Sequence, residues 1–554
     1  MTSYTQTPVL SGVPAPSITV GNTFSRLNIP IGCEYYYGPM LQRIDEALSF
    51  DVHGREYMNV YNTFTKNGDR LWDGKKHLIN LTSLPLKKVA WKQYITEPFL
   101  FLTGNIYRVI EVMECFGIIP ELIPSEEKIE SKDISQNKIQ YEWNENFESR
   151  DYQKYCVEQA LAHKRGLLQI ATGGGKTIIA ANLIHKIGLK PVLFLVTTKD
   201  LLYQAYNSFN LALNNPGVGI IGDGRCEIDN INVATIQSVV RAIGTQDEYK
   251  QSIKQLSDFI EDGFSDDKSE VNQEDIVKIQ NLLNETRVVI FDECQHAPAT
   301  TCQLAITRCV KANYRYGMSA TPFREDGEDL TIEGLFGKNL VNISSSYLID
   351  NNYLVKPQIT MIDLDTPKSR KMLYNEEYRL EIVENNLRNQ VIASFAATYA
   401  DEGKSVLILI KQIKHGKTLE KMIEGSLFVD GSKSSKKRNQ ALEDLRNKDL
   451  KIMIATSLAD EGIDIPDLDV LILGGSGKSK TRALQRIGRV IRKSPNKTES
   501  FVIDFLDSGH HSRKHSRSRK KIYESEERFR KIEVIRINDL LAAMDIKKSD
   551  DELI

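Results

Sequence analysis

Three consecutive glycines, a lysine and a threonine stand between two apolar segments. Gly173-Gly174-Gly175-Lys176-Thr177 follows Gly166-Leu167-Leu168-Gln169-Ile170 and precedes Ile178-Ile179-Ala180-Ala181-Asn182-Leu183-Ile184. The first segment reads as a short buried strand. The second, with apolar residues three and four apart, reads as a helix. Glycines between a strand and a helix let the backbone bend tightly and turn successive N–H groups inward. The partial positive charge of the helix N-terminus completes an anion cradle. Gly175-Lys176-Thr177 matches the end of a phosphate-binding loop, in which the lysine contacts β- and γ-phosphates and the hydroxyl binds Mg²⁺. Ile170 takes the place of the first glycine of that pattern. Thr172, Gly173, Gly174, Gly175, Lys176 and Thr177 are therefore the candidate ATP-binding residues.

A second candidate lies 115 or more residues on. Val288-Val289-Ile290-Phe291 ends in Asp292-Glu293-Cys294-Gln295. A carboxylate at the carboxyl end of a buried strand lies where doubly wound sheets place their ligands. Asp292 suits Mg²⁺ held through water, and Glu293 suits orienting and deprotonating an attacking water. Hydrolysis of ATP needs both tasks, and adjacent carboxylates divide them.

The elements that position these groups are continuous apolar runs alternating with helical patterns. PVLFLVTT at 191–198, NINVATI at 230–236 and RVVIFDE at 287–293 form one array. SVLILIK at 405–411, KIMIATS at 451–457, LDVLILGG at 468–475 and SFVIDFLD at 500–507 form another. Such runs suit strands of a parallel sheet buried on both faces. Two successive arrays imply two doubly wound α/β domains. Residues 1–125 mix short apolar runs, turns and aromatics. Residues 126–146 are polar and charged, as in a linker, so residues 1–125 are expected to fold on their own. Residues 247–275 carry ten acids against three lysines and read as a surface insertion.

Composition narrows the class. The 554 residues are 41% hydrophobic and 26% charged with a net charge of −2, so any nucleic-acid surface must be local. Seven cysteines without a C-x-x-C pair argue against zinc fingers and a disulfide framework, and favour a reducing compartment. The N-terminus lacks the basic and apolar regions of a signal peptide. No apolar run reaches about 18 residues, so no membrane span is expected. These features point to a cytoplasmic protein.

GGGKT, DECQ, Met318-Ser319-Ala320-Thr321 and Gln485-Arg486-Ile487-Gly488-Arg489-Val490-Ile491-Arg492 occur in the order found in superfamily 2 helicases. The chain resembles that family over about residues 147–510. The resemblance implies two tandem RecA-like doubly wound parallel-sheet domains, here at 147–350 (with an acidic insertion about 245–280) and 351–535. They are preceded by a small α+β domain and followed by a tail at 536–554. It also implies that Arg489 and Arg492 act as fingers on the γ-phosphate, with Gln485 sensing nucleotide or water. The physical basis is that guanidinium supplied in trans stabilises the charge of a loose phosphoryl transition state. Arg150-Asp151-Tyr152-Gln153 resembles the stretch whose glutamine reads adenine. By the same resemblance Thr198, Lys199, Thr235, Gln237 and Thr456 fall where the nucleic-acid backbone is gripped, and Gly462 and Asp464 on the nucleotide side. Gln295 replaces the histidine usual in the D-E-x-H subgroup, which implies an altered link between the ATP and nucleic-acid sites.

Two further stretches narrow the resemblance. Pro322-Phe323-Arg324-Glu325-Asp326 is similar to the R-E-D motif of XPB-type DNA helicases, which places Arg324 at DNA. Trp72-Asp73-Gly74-Lys75-Lys76 resembles a turn in the N-terminal domain of phage UvsW-type helicases. Trp72 would stack or wedge at a junction there, and Lys75 and Lys76 would sit on phosphates. The resemblance thus implies an ATP- and Mg²⁺-dependent DNA helicase or translocase acting on branched, forked or duplex DNA, in a prokaryotic or phage-infected cell. The same motor on RNA, and a DNA-structure-binding ATPase switch without processive movement, are the alternatives. His510 to Lys521 holds six formal cations and no acid, a run expected to meet phosphate.

Overall fold

The structure, a computed structural model, describes residues 13–52, 73–81, 97–125, 135–243, 272–322, 327–364, 373–433, 435–456, 468–475, 486–488, 490–493, 497, 499–529 and 532–539. Val192–Val196 (VLFLV) and Val288–Asp292 (VVIFD) show no polar alternation, and both strands are buried along their whole length. Strands apolar on both faces belong at the centre of a sheet covered on both sides. These two are neighbours in an eight-stranded sheet. Its order is Arg225–Glu227, Val218–Gly222, Ile231–Thr235, Val192–Val196, Val288–Asp292, Tyr314–Ser319, Arg165–Ile170 and Asn339–Ile343. The edge pair Arg225–Glu227 with Val218–Gly222 is antiparallel, and the central pairs are parallel. Register sets Asp292 beside Met318 and Ser319 beside Gln169. The carboxyl ends of three adjacent strands therefore bring the DECQ segment, the SAT segment and the start of the glycine loop to one edge.

The described residues form two compact units. One runs to Asn342; the other begins at Ile343 and takes in the short loop Ala171–Gly175. The second unit holds a seven-stranded sheet, ordered Ser426–Val429, Ile452–Thr456, Val406–Ile410, Val470–Leu473, Ser500–Leu506, Pro357–Asp363 and Ile532–Arg536. Every pair in it is parallel. Ile408, Ile410, Ile454, Ile472 and Phe505 share its core, and Ile537 joins them. The core therefore reaches into the expected tail.

The N-terminal region has its own four-stranded sheet, ordered Leu100–Leu102, Phe24–Asn28, Ser17–Val20 and Glu121–Pro124. The helices Gly38–Ala47 and Ile106–Cys115 pack with it around Ile18, Ile44, Phe101 and Val109. It is an α+β arrangement, but it does not stand apart. Leu102 belongs to the core of the eight-stranded sheet, against which Phe24 and Leu100 also pack. Glu333 accepts from the Tyr107 hydroxyl at 2.5 Å and from Nε and Nη2 of Arg108 at 2.9 and 2.6 Å. The buried Arg315 donates to Thr23 Oγ1 at 2.8 Å, and Arg165 to the Asn22 carbonyl at 2.5 Å. A Cβ on Gly104 would come 2.0 Å from the Glu333 carbonyl oxygen, so the two backbones meet directly there. Independent folding of residues 1–125 is corrected by this seam.

The expected linker is corrected in part as well. Ile139 N donates to the Gly188 carbonyl at 3.0 Å, Asn144 N to Ala212 at 2.9 Å, and the hydroxyl of the buried Tyr141 to Leu189 at 3.2 Å. This part of the segment is laid against the first unit. The acidic insertion has a structured flank too. Asn272 caps the helix Gln273–Glu285, whose Ile279, Leu282 and Leu283 enter the core. Residues 244–271 lie outside the described residues.

Two outcomes follow from the seam. Removing residues 1–125 should uncover the apolar partners of Leu102 and leave Arg315 short of an acceptor. The remaining chain should then melt well below the full protein or fail to stay soluble. Glu333→Ala in the full chain should cost about 1–3 kcal/mol, the usual penalty for stranding a part-buried polar partner. Denaturant unfolding of the two proteins beside the parent checks both.

Candidate active site

The loop after Arg165–Ile170 turns on glycine. Gly173 and Gly175 have φ of +83° and +75°, a left-handed region that side chains disfavour. Gly174 N donates to the Ala171 carbonyl at 3.0 Å. The helix Lys176–Ile187 starts at once, so Lys176 and Thr177 occupy its first turn. The Lys176 ammonium lies 3.3 Å from Glu293 Oε1, both side chains mostly covered.

Glu293 reaches Lys176 through an unusual backbone. It leaves the strand Val288–Asp292 with φ +58° and ψ +51°. A non-glycine residue in this region costs of order 1–3 kcal/mol, and such strain collects at functional sites. Burial pushes the Glu293 carboxyl up, but Lys176, the Gln295 amide and His296 outweigh it and hold it below the ordinary value. Asp292 next to it is nearly buried. Burial raises its pKa to about 6 against the pull of Lys176. Two mostly covered carboxylates thus stand beside the Lys176 ammonium. With the Thr177 hydroxyl they form a hard oxygen donor set, which suits Mg²⁺ bound through a carboxylate, waters and phosphates.

Gln295 ties this edge together. Its Nε2 donates to Glu293 Oε2 at 3.0 Å, and its Oε1 accepts from Ser319 Oγ at 2.6 Å. Ser319 Oγ in turn accepts from Thr321 N at 3.0 Å. One amide therefore joins the carboxylate to the SAT segment, donating on one side and accepting on the other. The sequence flagged Gln295 as a departure, and the bridge shows what the amide does instead.

The chain matches the family described as Type III restriction enzyme, res subunit over residues 146–324, and the Helicase conserved C-terminal domain over residues 386–494. It belongs to the superfamily 2 helicases. Putative helicase 22 of Sulfolobus islandicus filamentous virus (isolate Iceland/Hveragerdi) is 29% identical over 479 residues, covering 81% of this chain and 80% of its own. The ATP-dependent DNA helicase uvsW of Enterobacteria phage T4 is 24% identical over 475 residues, covering 81% and 84%. A fragment structure of a putative HsdR subunit of a type I restriction enzyme from Vibrio vulnificus YJ016 shares the fold. It has a TM-score of 0.50 and 15% identity, over 79% of this chain and 75% of that one.

The other predicted residues of this superfamily 2 helicase are distributed unevenly. Gln153 is buried, and its Oε1 accepts from Arg150 N at 3.0 Å, so its carbonyl oxygen closes the start of the helix Asp151–His163. Thr198 Oγ1 caps the helix Lys199–Ala212, and Lys199 pairs with Asp223 at 2.6 Å. In the second unit Arg492 is half-buried, with its pKa lowered to about 10 by desolvation. It bridges to Leu354, and Val355 N donates to the Ile491 carbonyl at 2.8 Å. Trp72, Arg324, Gly462, Asp464, Gln485 and Arg489 lie outside the described residues.

Four of the residues expected at DNA make contacts within the chain. Thr235 is buried and its hydroxyl is engaged with Ser238 at the start of the helix Ile236–Ile243. Gln237 Nε2 donates to the Thr197 carbonyl at 2.7 Å. These two side chains hold their loops, because a turn leading into a helix leaves backbone groups that nearby polar side chains must satisfy. Thr456 is buried at the end of its strand. Lys76 is mostly covered, 3.3 Å from Glu328 and 5.6 Å from the Phe50 ring centroid, because strand pairing sets it opposite Phe50. Lys75, by contrast, is half-buried on the same strand. His77, which no motif singled out, lies between Asp45 and Asp73 at 2.8 and 2.9 Å.

Gln295→Leu keeps the volume and removes both hydrogen bonds. Nucleotide affinity should stay within about threefold, while kcat should fall about tenfold or more, equivalent to roughly 1.4 kcal/mol in the transition state. Gln295→His should retain more activity than Gln295→Leu. Nucleotide titration and steady-state hydrolysis of the two variants separate these effects.

Proposed function

We propose that this superfamily 2 helicase is an ATP-dependent DNA helicase or translocase acting on forked or branched DNA. The observation that carries the proposal is the Lys176–Glu293 pair at 3.3 Å, set beside the glycine loop and extended through Gln295 to Ser319. A phosphate-binding lysine and the carboxylate suited to activate water are held as partners, with the Gln295 amide leading away to Ser319 of the SAT segment. Preference for DNA is supported by the R-E-D and W-D-G stretches and by the phage relative, whose name is ATP-dependent DNA helicase.

In this reading Lys176 leaves Glu293 for the β- and γ-phosphates of ATP, and Thr172 to Gly175 donate backbone N–H groups to them. Glu293, freed, orients and deprotonates the attacking water. Thr177 and Asp292 would hold Mg²⁺, which supplies charge neutralisation for the phosphates. Gln153, fixed by its cap, is assigned to the adenine with its amide. Gly462, Asp464, Gln485, Arg489 and Arg492 are assigned to the nucleotide from the second RecA-like domain, and Trp72, Lys75, Thr198, Lys199 and Arg324 to DNA. Residues 147–350 and 351–535 are taken as the two motor domains, with residues 1–125 joined to the first. The seven free thiols support a reducing compartment, the cytoplasm of a prokaryotic or phage-infected cell. No helix among the described residues is long and apolar enough to cross a membrane.

Lys176→Ala should abolish hydrolysis without unfolding the protein, since the lysine is a charge on phosphate rather than a core residue. Glu293→Gln should bind ATP and barely turn it over, accumulating as an ATP-bound complex on DNA. Arg492→Ala should lower hydrolysis by a large factor; arginine fingers contribute about 10³–10⁵. The deciding measurement is ATP hydrolysis with single-stranded, duplex and four-way DNA against RNA, combined with strand displacement. Equal or stronger stimulation by RNA would reassign the motor to RNA. Stimulation by branched DNA without displacement or branch migration would leave an ATPase switch.

A further inference from the structure

The helix His510–Ser525 follows the strand Ser500–Leu506 and carries the densest cationic run of the chain. Its inner face is fixed by buried charge. Arg519 donates to Asp504 from Nε at 2.8 Å and from Nη2 at 2.9 Å, and the Tyr523 hydroxyl donates to the same carboxylate at 2.8 Å. Ser516 Oγ accepts from Asp507 N at 3.1 Å. Glu377, fully buried, accepts from Ser512 N at 2.8 Å, from its hydroxyl at 2.7 Å and from His511 N at 2.9 Å. The first amides of the helix are therefore already satisfied by a carboxylate, and the helix is pinned along one side.

Helical geometry puts the remaining cations opposite that side. At about 100° per residue, Ser512, Ser516, Arg519 and Tyr523 share one face, and Arg513, Lys514, Arg517, Lys520 and Lys521 share the other. Of the six cations in the run, only Arg519 is spent in the core. Lys520 lies 3.8 Å from Glu524. Among the described residues, Arg513, Lys514, Arg517 and Lys521 make no ion pair. Like charges four apart on a helix destabilise it, by about 0.2–0.5 kcal/mol per pair, and here Arg513, Arg517 and Lys521 stand in such a row. The face has no large apolar residue to bury in a lipid surface.

We propose that the outward face of His510–Ser525 is a phosphate-binding ridge for the DNA backbone, separate from the residues assigned above. From Arg513 to Lys521 the helix rises about 12 Å, the axial length of roughly three phosphates on one strand of duplex. The ridge carries no hydrogen-bond pattern for base edges, so it adds affinity without sequence preference. It rests on the DNA-motor reading and deepens it.

The test compares the full chain with the variant R513Q/K514Q/R517Q/K521Q. Nucleotide-free binding to a fluorescent forked DNA is measured between 50 and 200 mM salt on the order used for such slopes. The variant should bind at least tenfold more weakly at the low end. Its slope of log K against log salt should be smaller by about 2–3, at about 0.9 per phosphate. DNA-free hydrolysis should not change, and the melting temperature should stay level or rise slightly as the like-charge row is removed. R513K/R517K, which keeps the charge, should retain the parent slope. An unchanged slope and affinity in the quadruple variant, with DNA-stimulated hydrolysis intact in both proteins, overturns the ridge and leaves the motor standing. So does loss of binding to anionic vesicles with DNA binding unchanged. Absence of DNA binding in the parent overturns the motor reading itself, and the ridge with it.

Discussion

Two carboxylates at the end of one buried strand meet the ammonium of Lys176. Asp292 and Glu293 cannot both be charged there without positive charge nearby, and Lys176 stands 3.3 Å from Glu293. The rest of the first unit serves that meeting. The strand order sets the strand ending at Asp292 one place from the strand ending at Ile170, with the strand ending at Ser319 between them. The left-handed backbone at Glu293 turns its carboxylate back, and the Gln295 amide fixes it. Mostly covered carboxylates beside a glycine loop are the physical reason the site suits a divalent cation together with a polyphosphate.

The second organising feature is the seam between the N-terminal region and the eight-stranded sheet. It is held by guanidinium groups that face neutral acceptors as well as by two carboxylates, Glu333 and Glu328. Burial lowers the pKa of Arg165 to about 9 and of Arg315 to about 10. Both remain protonated at neutral pH, so their desolvation must be met by carbonyl and hydroxyl oxygens. Two of those oxygens come from Asn22 and Thr23. The seam also reaches the helix Asp329–Phe336, through Glu333 to Arg108 and through Glu328 to Lys76. That helix follows the SAT segment in the chain, so the N-terminal region holds a neighbour of the nucleotide edge.

Much of the architecture was legible because each central strand is an uninterrupted apolar run. VLFLV, VVIFD, VLILI and IMIAT report two-sided burial without reference to any partner. The glycine loop was legible for a similar reason: the chemistry of Gly173 to Thr177 is local. What the sequence did not reveal depends on partners far along the chain. Lys76 reads as a phosphate contact beside a tight turn, but its partner Glu328 is 252 residues away. The segment 126–146 has a linker's composition, yet part of it finds carbonyls at Gly188, Leu189 and Ala212. Thr235 and Gln237 carry the right residue types for a phosphate grip, and the residue type alone does not say whether the side chain faces out or satisfies its own loop. The basic run at His510–Lys521 hid a periodicity, since one of its six cations, Arg519, turns inward to Asp504.

The seam also sets a sequence of events during synthesis. Arg108 and its acceptor Glu333 are separated by 225 residues. At about 5–20 residues per second a ribosome needs roughly ten to fifty seconds to cover that distance. During this interval the strands of the N-terminal sheet, all within residues 17–124, have been made, but Phe24, Leu100 and Leu102 still lack the surface that covers them. The protein therefore passes through a stage with an apolar face open while still tethered to the ribosome. Slow synthesis or a pause before residue 333 lengthens that exposure, and chaperone demand during expression should track the pause rather than the final stability of the folded chain.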